Sequence, residues 1–187
     1  MIQVHPSAPS AASEHRPQGL RIIVMGVAGC GKSTLARHVA DALKLAFIEG
    51  DQFHSQENIR KMSQGTALDD VDREGWLDRL GLELLSYPGG AVLACSALKR
   101  AYRARLRQAV AQLNFVHLSI TQELANARVQ ARSAGHPFPS SLVASQFATL
   151  EDPLGEDRVL QLDGALESSV LCARALQWID ELNLQPA

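Results

Sequence analysis

A chain of 187 residues with 46% hydrophobic content can bury one substantial core and is short for two full domains. Its formal net charge of −2 gives no global field that would draw it to nucleic acid or a membrane surface, and no stretch has the apolar length of a membrane span. Three cysteines, Cys30, Cys95 and Cys172, are an odd number without framework spacing and suit a reducing compartment.

Met1 to Gly19 is a Pro/Ala/Ser-rich lead-in without the apolar core of a signal peptide, and is expected to be disordered. Residues 20–187 then read as a single domain. Arg21–Met25 is a continuous apolar strand, buried on both faces as in the centre of a parallel sheet. Directly after it stands Gly26-Val27-Ala28-Gly29-Cys30-Gly31-Lys32-Ser33, the spacing G-x-x-x-x-G-K-S of a phosphate-binding P-loop. Glycines at these positions let successive backbone N–H groups converge on phosphate oxygens. Lys32 reaches the β- and γ-phosphates, Ser33 offers its hydroxyl to Mg²⁺, and Thr34 completes the expected ATP-binding run. A helix from Lys32 to about Leu43 aims its positive end at the phosphates and packs Leu35, Val39 and Leu43 on the sheet. Cys30, beside that helix terminus, is open between a reactive thiol and a tolerated loop residue.

Leu45–Glu49 is a second strand, followed by a short helix from Ser55 to about Ser63. From Asp72 the spacing of Trp76, Leu77, Leu80 and Leu84 predicts an amphipathic helix, ended by Pro88-Gly89-Gly90. Ala91–Cys95 is a third strand, Lys99 to about Ala111 a basic helix, and Asn114–Ser119 a fourth strand. Thr121 can cap a helix to about Ser133, which Gly135-His136-Pro137-Phe138-Pro139 breaks. A helix from about Ser140 to Leu150, a last strand Val159–Asp163 and a helix from about Leu166 to Leu182 complete the chain. Strands alternating with helices at these intervals predict a three-layer αβα sandwich around a five-stranded parallel sheet, with ligands beyond the strands' carboxyl ends.

Phosphoryl transfer needs cradled phosphates, neutralised charge and an acceptor oxygen in line. Asp51, after the second strand, can orient and deprotonate an acceptor hydroxyl or hold a Mg²⁺-bound water. His54 nearby is open between a capping or core residue and a ligand. Lys99, Arg103 and Arg107 share one helix face. Lys99 and Arg103 are expected to clamp a substrate carboxylate or phosphate, whereas Arg105 and Arg107 read as a solvated face. Arg128 and Arg132, one turn apart before the Gly-Pro breaker, read as lid guanidiniums that fold over the transferring phosphoryl group.

Four stretches, M-G-V-A-G-C-G-K-S at 25–33, G-D-Q-F-H at 50–54 with N-I-R-K-M at 58–62, C-S-A-L-K-R at 95–100 with Y-R at 102–103, and S-Q-F-A-T-L-E at 145–151, resemble the P-loop gluconate kinases, relatives of shikimate and adenylate kinases. The resemblance runs from Arg21 to about Asp163. It implies a nucleoside-monophosphate-kinase-like fold with a helical lid at about 124–150, Mg²⁺-dependent transfer of phosphate from ATP to the terminal hydroxyl of D-gluconate, a cytoplasmic setting and a homodimer. On that resemblance Gly26 to Ser33 bind ATP, Asp51 faces the acceptor, Lys99 and Arg103 line the gluconate pocket, and Arg128 and Arg132 belong to the lid. Glu49 stands where the family usually has Asp. Two other readings are a kinase for another small acceptor, such as shikimate or a nucleoside monophosphate, and a non-catalytic nucleotide-dependent switch. A switch requires neither the lid arginines nor the basic acceptor face.

Overall fold

The computed structural model of the protein describes residues 19–131 and 141–184. The lead-in, Arg132 and the Gly135–Pro139 breaker lie outside the described residues. Five strands, β1 (Leu20–Met25), β2 (Ala46–Glu49), β3 (Gly90–Ala94), β4 (Asn114–Ser119) and β5 (Val159–Asp163), form one sheet in the order β2-β3-β1-β4-β5. All neighbouring pairs run parallel. Seven α-helices surround it among the described residues: α1 (Lys32–Leu43), α2 (Gln56–Ser63), α3 (Asp70–Leu85), α4 (Arg100–Ala109), α5 (Gln122–Ala131), α6 (Ser141–Thr149) and α7 (Ser168–Leu184).

The twofold periodicity of the central strands divides the core. Ile22 and Val24 of β1, Val92 and Ala94 of β3, and Val116 and Leu118 of β4 pack on one side with Leu35 and Val39 of α1 and Leu171, Ala175 and Ile179 of α7. Ile23, Met25, Ala91, Leu93 and Phe115 point the other way, against Trp76, Leu77, Leu80 and Leu84 of α3 and Leu106 of α4. Each of the branched, aromatic and methionine side chains contributes about 1.5–3 kcal/mol on burial, so the strands are fixed in register chiefly by their two apolar faces.

Boundaries move where a cap or backbone contact overrides periodicity. α3 starts two residues before the expected Asp72, because Asp69 accepts from the Asp72 N–H and the Asp72 side chain accepts from the Asp69 N–H, a capping box. Lys99 is the N-cap of α4 rather than its first residue, and Ser55 caps α2 by accepting from the Asn58 N–H. β3 begins at Gly90, whose positive φ of 104° and tight approach to the Leu20 carbonyl leave no room for a side chain.

Candidate active site

The strand order brings the ends of β1, β2 and β3 side by side, and the loops leaving them carry the phosphate loop, Asp51 and Ser96. In the phosphate loop Gly26, Gly29 and Gly31 all have positive φ, at 139°, 81° and 101°. A Cβ on Gly26 would lie 2.6 Å from the Leu118 carbonyl of β4, so packing as well as conformation requires glycine there. The Lys32 ammonium donates to the Val27 carbonyl at 3.0 Å, across the mouth of the loop, and the Ala28 N–H donates to Gln146 Oε1 of α6 at 2.6 Å.

Ala28, Gly29, Gly31, Lys32, Ser33 and Thr34 line a cavity that continues to Asp51, His54, Arg73 and Trp76. Met62, Leu68 and Leu142 form an apolar cluster in its wall. The cavity thus joins a phosphate cradle to a mixed pocket with one carboxylate, one guanidinium and an aromatic floor. His54 is only 8% exposed and stacks on Trp76 with ring centroids 4.2 Å apart. Burial pushes its imidazole down to about 4, with the Asp51 charge opposing, so the ring is neutral at pH 7. Trp76 is fixed in turn by its Nε1–H, which donates to the Gly50 carbonyl at 2.9 Å, holding the turn that presents Asp51.

Lys32, Ser33, Thr34, Asp51 and His54 therefore meet as the sequence suggests, and other candidates do not. Arg103 is wholly buried, and all five of its N–H donors are used. Nη1 serves the carbonyls of Ala97 and Leu98 at 2.9 and 2.8 Å, Nη2 the Glu151 carbonyl at 3.0 Å and Glu156 at 2.6 Å, and Nε the Glu156 carboxylate at 3.1 Å. The expected carboxylate clamp at Arg103 is corrected to an internal cation that fastens the segment after α6 to α4. Arg107 is half-buried rather than fully solvated: it pairs with Glu156 at 2.8 Å and lies over the Phe115 ring. Arg105 is the surface residue expected, paired with Asp78 at 2.6 Å.

Lys99 does not line the cavity; its ammonium pairs with Asp70 at 2.6 Å. It shares the Tyr102 ring with Arg73, each cation 5.6 Å from the ring centroid. Arg128 is also outside the cavity lining, donating to the Gly164 carbonyl at 2.8 Å. Cys30 is buried and burial pushes its thiol up, with Lys32 opposing, which removes the reactive-thiol alternative.

Sequence reasoning passed over Arg73 and Gln146. Arg73 stands in the first turns of α3, where its charge reads as the polar side of an amphipathic helix. Its Nη1 donates to the carbonyls of Leu68 and Asp69, and among the described residues it forms no ion pair with a carboxylate. Its position in the cavity makes it a guanidinium available to an anionic ligand.

Oxygen chemistry near Ser33 fits a hard divalent cation. Burial pushes the Glu49 carboxyl up, with the Ser33 side chain hydrogen-bonding against that shift and the Asp51 charge reinforcing it. Among the described residues no group of three or more His, Cys, Asp or Glu is placed to hold a metal ion.

Comparison with known proteins agrees with this geometry. A family model described as an AAA domain matches residues 22–154. The gluconokinase of Gluconobacter oxydans (strain 621H) is 44% identical over 168 residues, covering 85% of this chain and 93% of that protein. The crystal structure of a gluconokinase from Sinorhizobium meliloti 1021 superposes with a TM-score of 0.80 at 42% identity, over 88% of this chain and 93% of that one. A shikimate kinase from Acinetobacter baumannii, solved in complex with shikimate, shares the fold at 20% identity and a TM-score of 0.61, over 89% of this chain and 96% of that one. With a phosphate loop opening on a cavity that reaches Asp51 and Arg73, and this identity over most of its length, the chain belongs to the gluconokinase family.

Proposed function

We propose that the protein transfers the γ-phosphoryl group of ATP to the terminal hydroxyl of D-gluconate, giving 6-phosphogluconate and ADP. The observation that carries this reading is one cavity running from Lys32 and Ser33 to Asp51 and Arg73. The phosphate loop and the N-terminus of α1 hold the triphosphate, and Lys32 leaves the Val27 carbonyl to pair with its β- and γ-oxygens. Ser33, with Glu49 and Asp51 close by, would hold Mg²⁺, which when bound would neutralise charge on those oxygens. Asp51 accepts the hydrogen bond of the acceptor hydroxyl and takes its proton as transfer proceeds. Arg73 pairs with the sugar-acid carboxylate, while the neutral His54 ring and Trp76 supply a surface that adds no competing charge.

Lys99 supports this arrangement from outside the cavity, pairing with Asp70 beside the Tyr102 ring that it shares with Arg73. Arg128 stands near the phosphate loop, where its charge acts on Cys30, a position suited to the nucleotide side of the site. A homodimer in the cytoplasm, without nucleic-acid or membrane partners, belongs to the same proposal. No helix among the described residues is long and apolar enough to cross a membrane.

A coupled ADP-release assay with ATP and Mg²⁺ tests the assignment across D-gluconate, shikimate and nucleoside monophosphates. D-gluconate is expected to give the highest kcat/KM. Better phosphorylation of either other acceptor class would overturn the gluconate reading and leave a P-loop kinase of different specificity, and turnover of none would favour the switch.

A further inference from the structure

The contact between α6 and the phosphate loop has a chemical asymmetry. Ala28 N–H is a donor, so the Gln146 atom 2.6 Å away is its carbonyl oxygen, Oε1. Lys32, whose ammonium reaches the β- and γ-phosphates in such loops, now rests on the carbonyl of Val27, the residue before Ala28. Ala28 therefore stands at the end of the loop where the terminal phosphates arrive. A phosphate oxygen is a charged and stronger acceptor than a carboxamide. One N–H cannot serve both well, and the two acceptor oxygens repel each other.

We propose that Gln146 is a positioning residue that distinguishes ATP from ADP. Without nucleotide its Oε1 occupies the Ala28 N–H. When the terminal phosphate takes that N–H, the carboxamide turns about its last torsion and donates Nε2–H to a γ-phosphate oxygen. The inference rests on the reading of the loop as an ATP site. Gln146 is placed to pass this exchange on to the acceptor pocket, because it lines the same cavity. One turn before it on α6, Leu142 packs with Met62 and Leu68 in the pocket wall. Just after α6, the Glu151 N–H donates to the Leu98 carbonyl at 3.0 Å, and the Glu151 carboxylate accepts from the Arg100 N–H at 2.6 Å. A change at Gln146 is thus felt by an element tied to both halves of the site.

The test compares Mg²⁺-supported binding of a non-hydrolysable ATP analogue and of ADP, by calorimetry without acceptor, in the parent, Gln146→Glu and Gln146→Ala. Glutamate keeps an acceptor for Ala28 but cannot donate to phosphate. Its preference for the ATP analogue over ADP should fall by about tenfold or more, as expected for loss of a hydrogen bond to a charged group. Alanine should lose the same preference to a smaller extent while binding ADP at least as tightly as the parent. Should the Glu variant fail to fold, the Ala variant decides by the same ratio. Parent-like ratios in folded variants, or equal weakening of both nucleotides, would overturn the proposal and make Gln146 a structural prop of the loop. Failure of the parent to bind either nucleotide would instead strike the ATP-site reading.

Discussion

At the scale of single residues, the cavity is lined by a carboxylate, Asp51, and a guanidinium, Arg73, proposed to hold the acceptor's hydroxyl and its carboxylate in turn. Asp51 is exposed on the turn after β2, lines the cavity and is oriented by a turn whose Gly50 carbonyl is held by Trp76. Its replacement by asparagine keeps size and hydrogen bonding but removes the base. Asp51→Asn should lower kcat by about a hundredfold or more, in the range for loss of a positioned general base, with ATP affinity almost unchanged. Steady-state kinetics alongside nucleotide binding separate the two effects. Weak ATP binding with turnover preserved at saturation would return Asp51 to the nucleotide side. The phosphate loop was readable from the chain because its chemistry is local: eight consecutive residues contain the glycines, the lysine and the hydroxyl. Arg73 was not, since nothing in a helix pattern says that one polar residue on α3 faces a cavity built by β1, β2 and α6.

The elements explain why the basic helix misled. Residues four apart share a face, and that arithmetic correctly groups Lys99, Arg103 and Arg107 on α4. It does not reveal that Glu156, 53 residues after Arg103 in the chain, lands beneath that face. Burial pushes the Glu156 carboxyl up, but hydrogen bonds and charge from Arg103 and Arg107 overcome it and hold it down to about 2. Removing Arg103 takes from the Ala97 and Glu151 carbonyls the donor they have and leaves the buried Glu156 carboxylate to Arg107 and the more distant Arg100. Arg103→Ala is expected to cost about 3–5 kcal/mol of stability, measured by chemical denaturation. Arg105→Ala, which removes only exposed pairs with Asp78 and Glu74, should leave the midpoint nearly unchanged. A normally stable Arg103→Ala protein with a raised KM for the acid would restore Arg103 to the substrate pocket.

The whole molecule should weaken steadily in acid. The unfolded chain takes up a proton at His54 near 6.5, whereas the folded chain does so at about 4, so stability present above pH 6.5 is lost as pH falls through that window. Glu156 continues the loss, from its ordinary 4.5 down to about 2. Denaturation midpoints across pH 7 to 2 should fall in both windows, with Glu156→Gln flattening the lower one. A flat profile below pH 6.5 would contradict the buried neutral imidazole. The sheet, its five strands and the helices around it were legible because each apolar strand is separated from the next by one or two α-helices. Less legible were the contacts between distant elements that assemble the acceptor pocket: His54 on Trp76, Leu142 on Met62 and Leu68, and Gln146 on Ala28.

The central claim is that one cavity holds a sugar acid by its carboxylate at Arg73 while Asp51 holds its hydroxyl for phosphorylation. It is tested most directly by measuring kcat/KM for D-gluconate and for its uncharged polyol counterpart in the parent and in Arg73→Ala. The parent should prefer the acid by about tenfold or more, the worth of a charged hydrogen bond, and Arg73→Ala should lose most of that preference while its KM for ATP stays near the parent value. A parent that uses both acceptors equally, or an Arg73→Ala enzyme that keeps the parent's preference, would contradict the account.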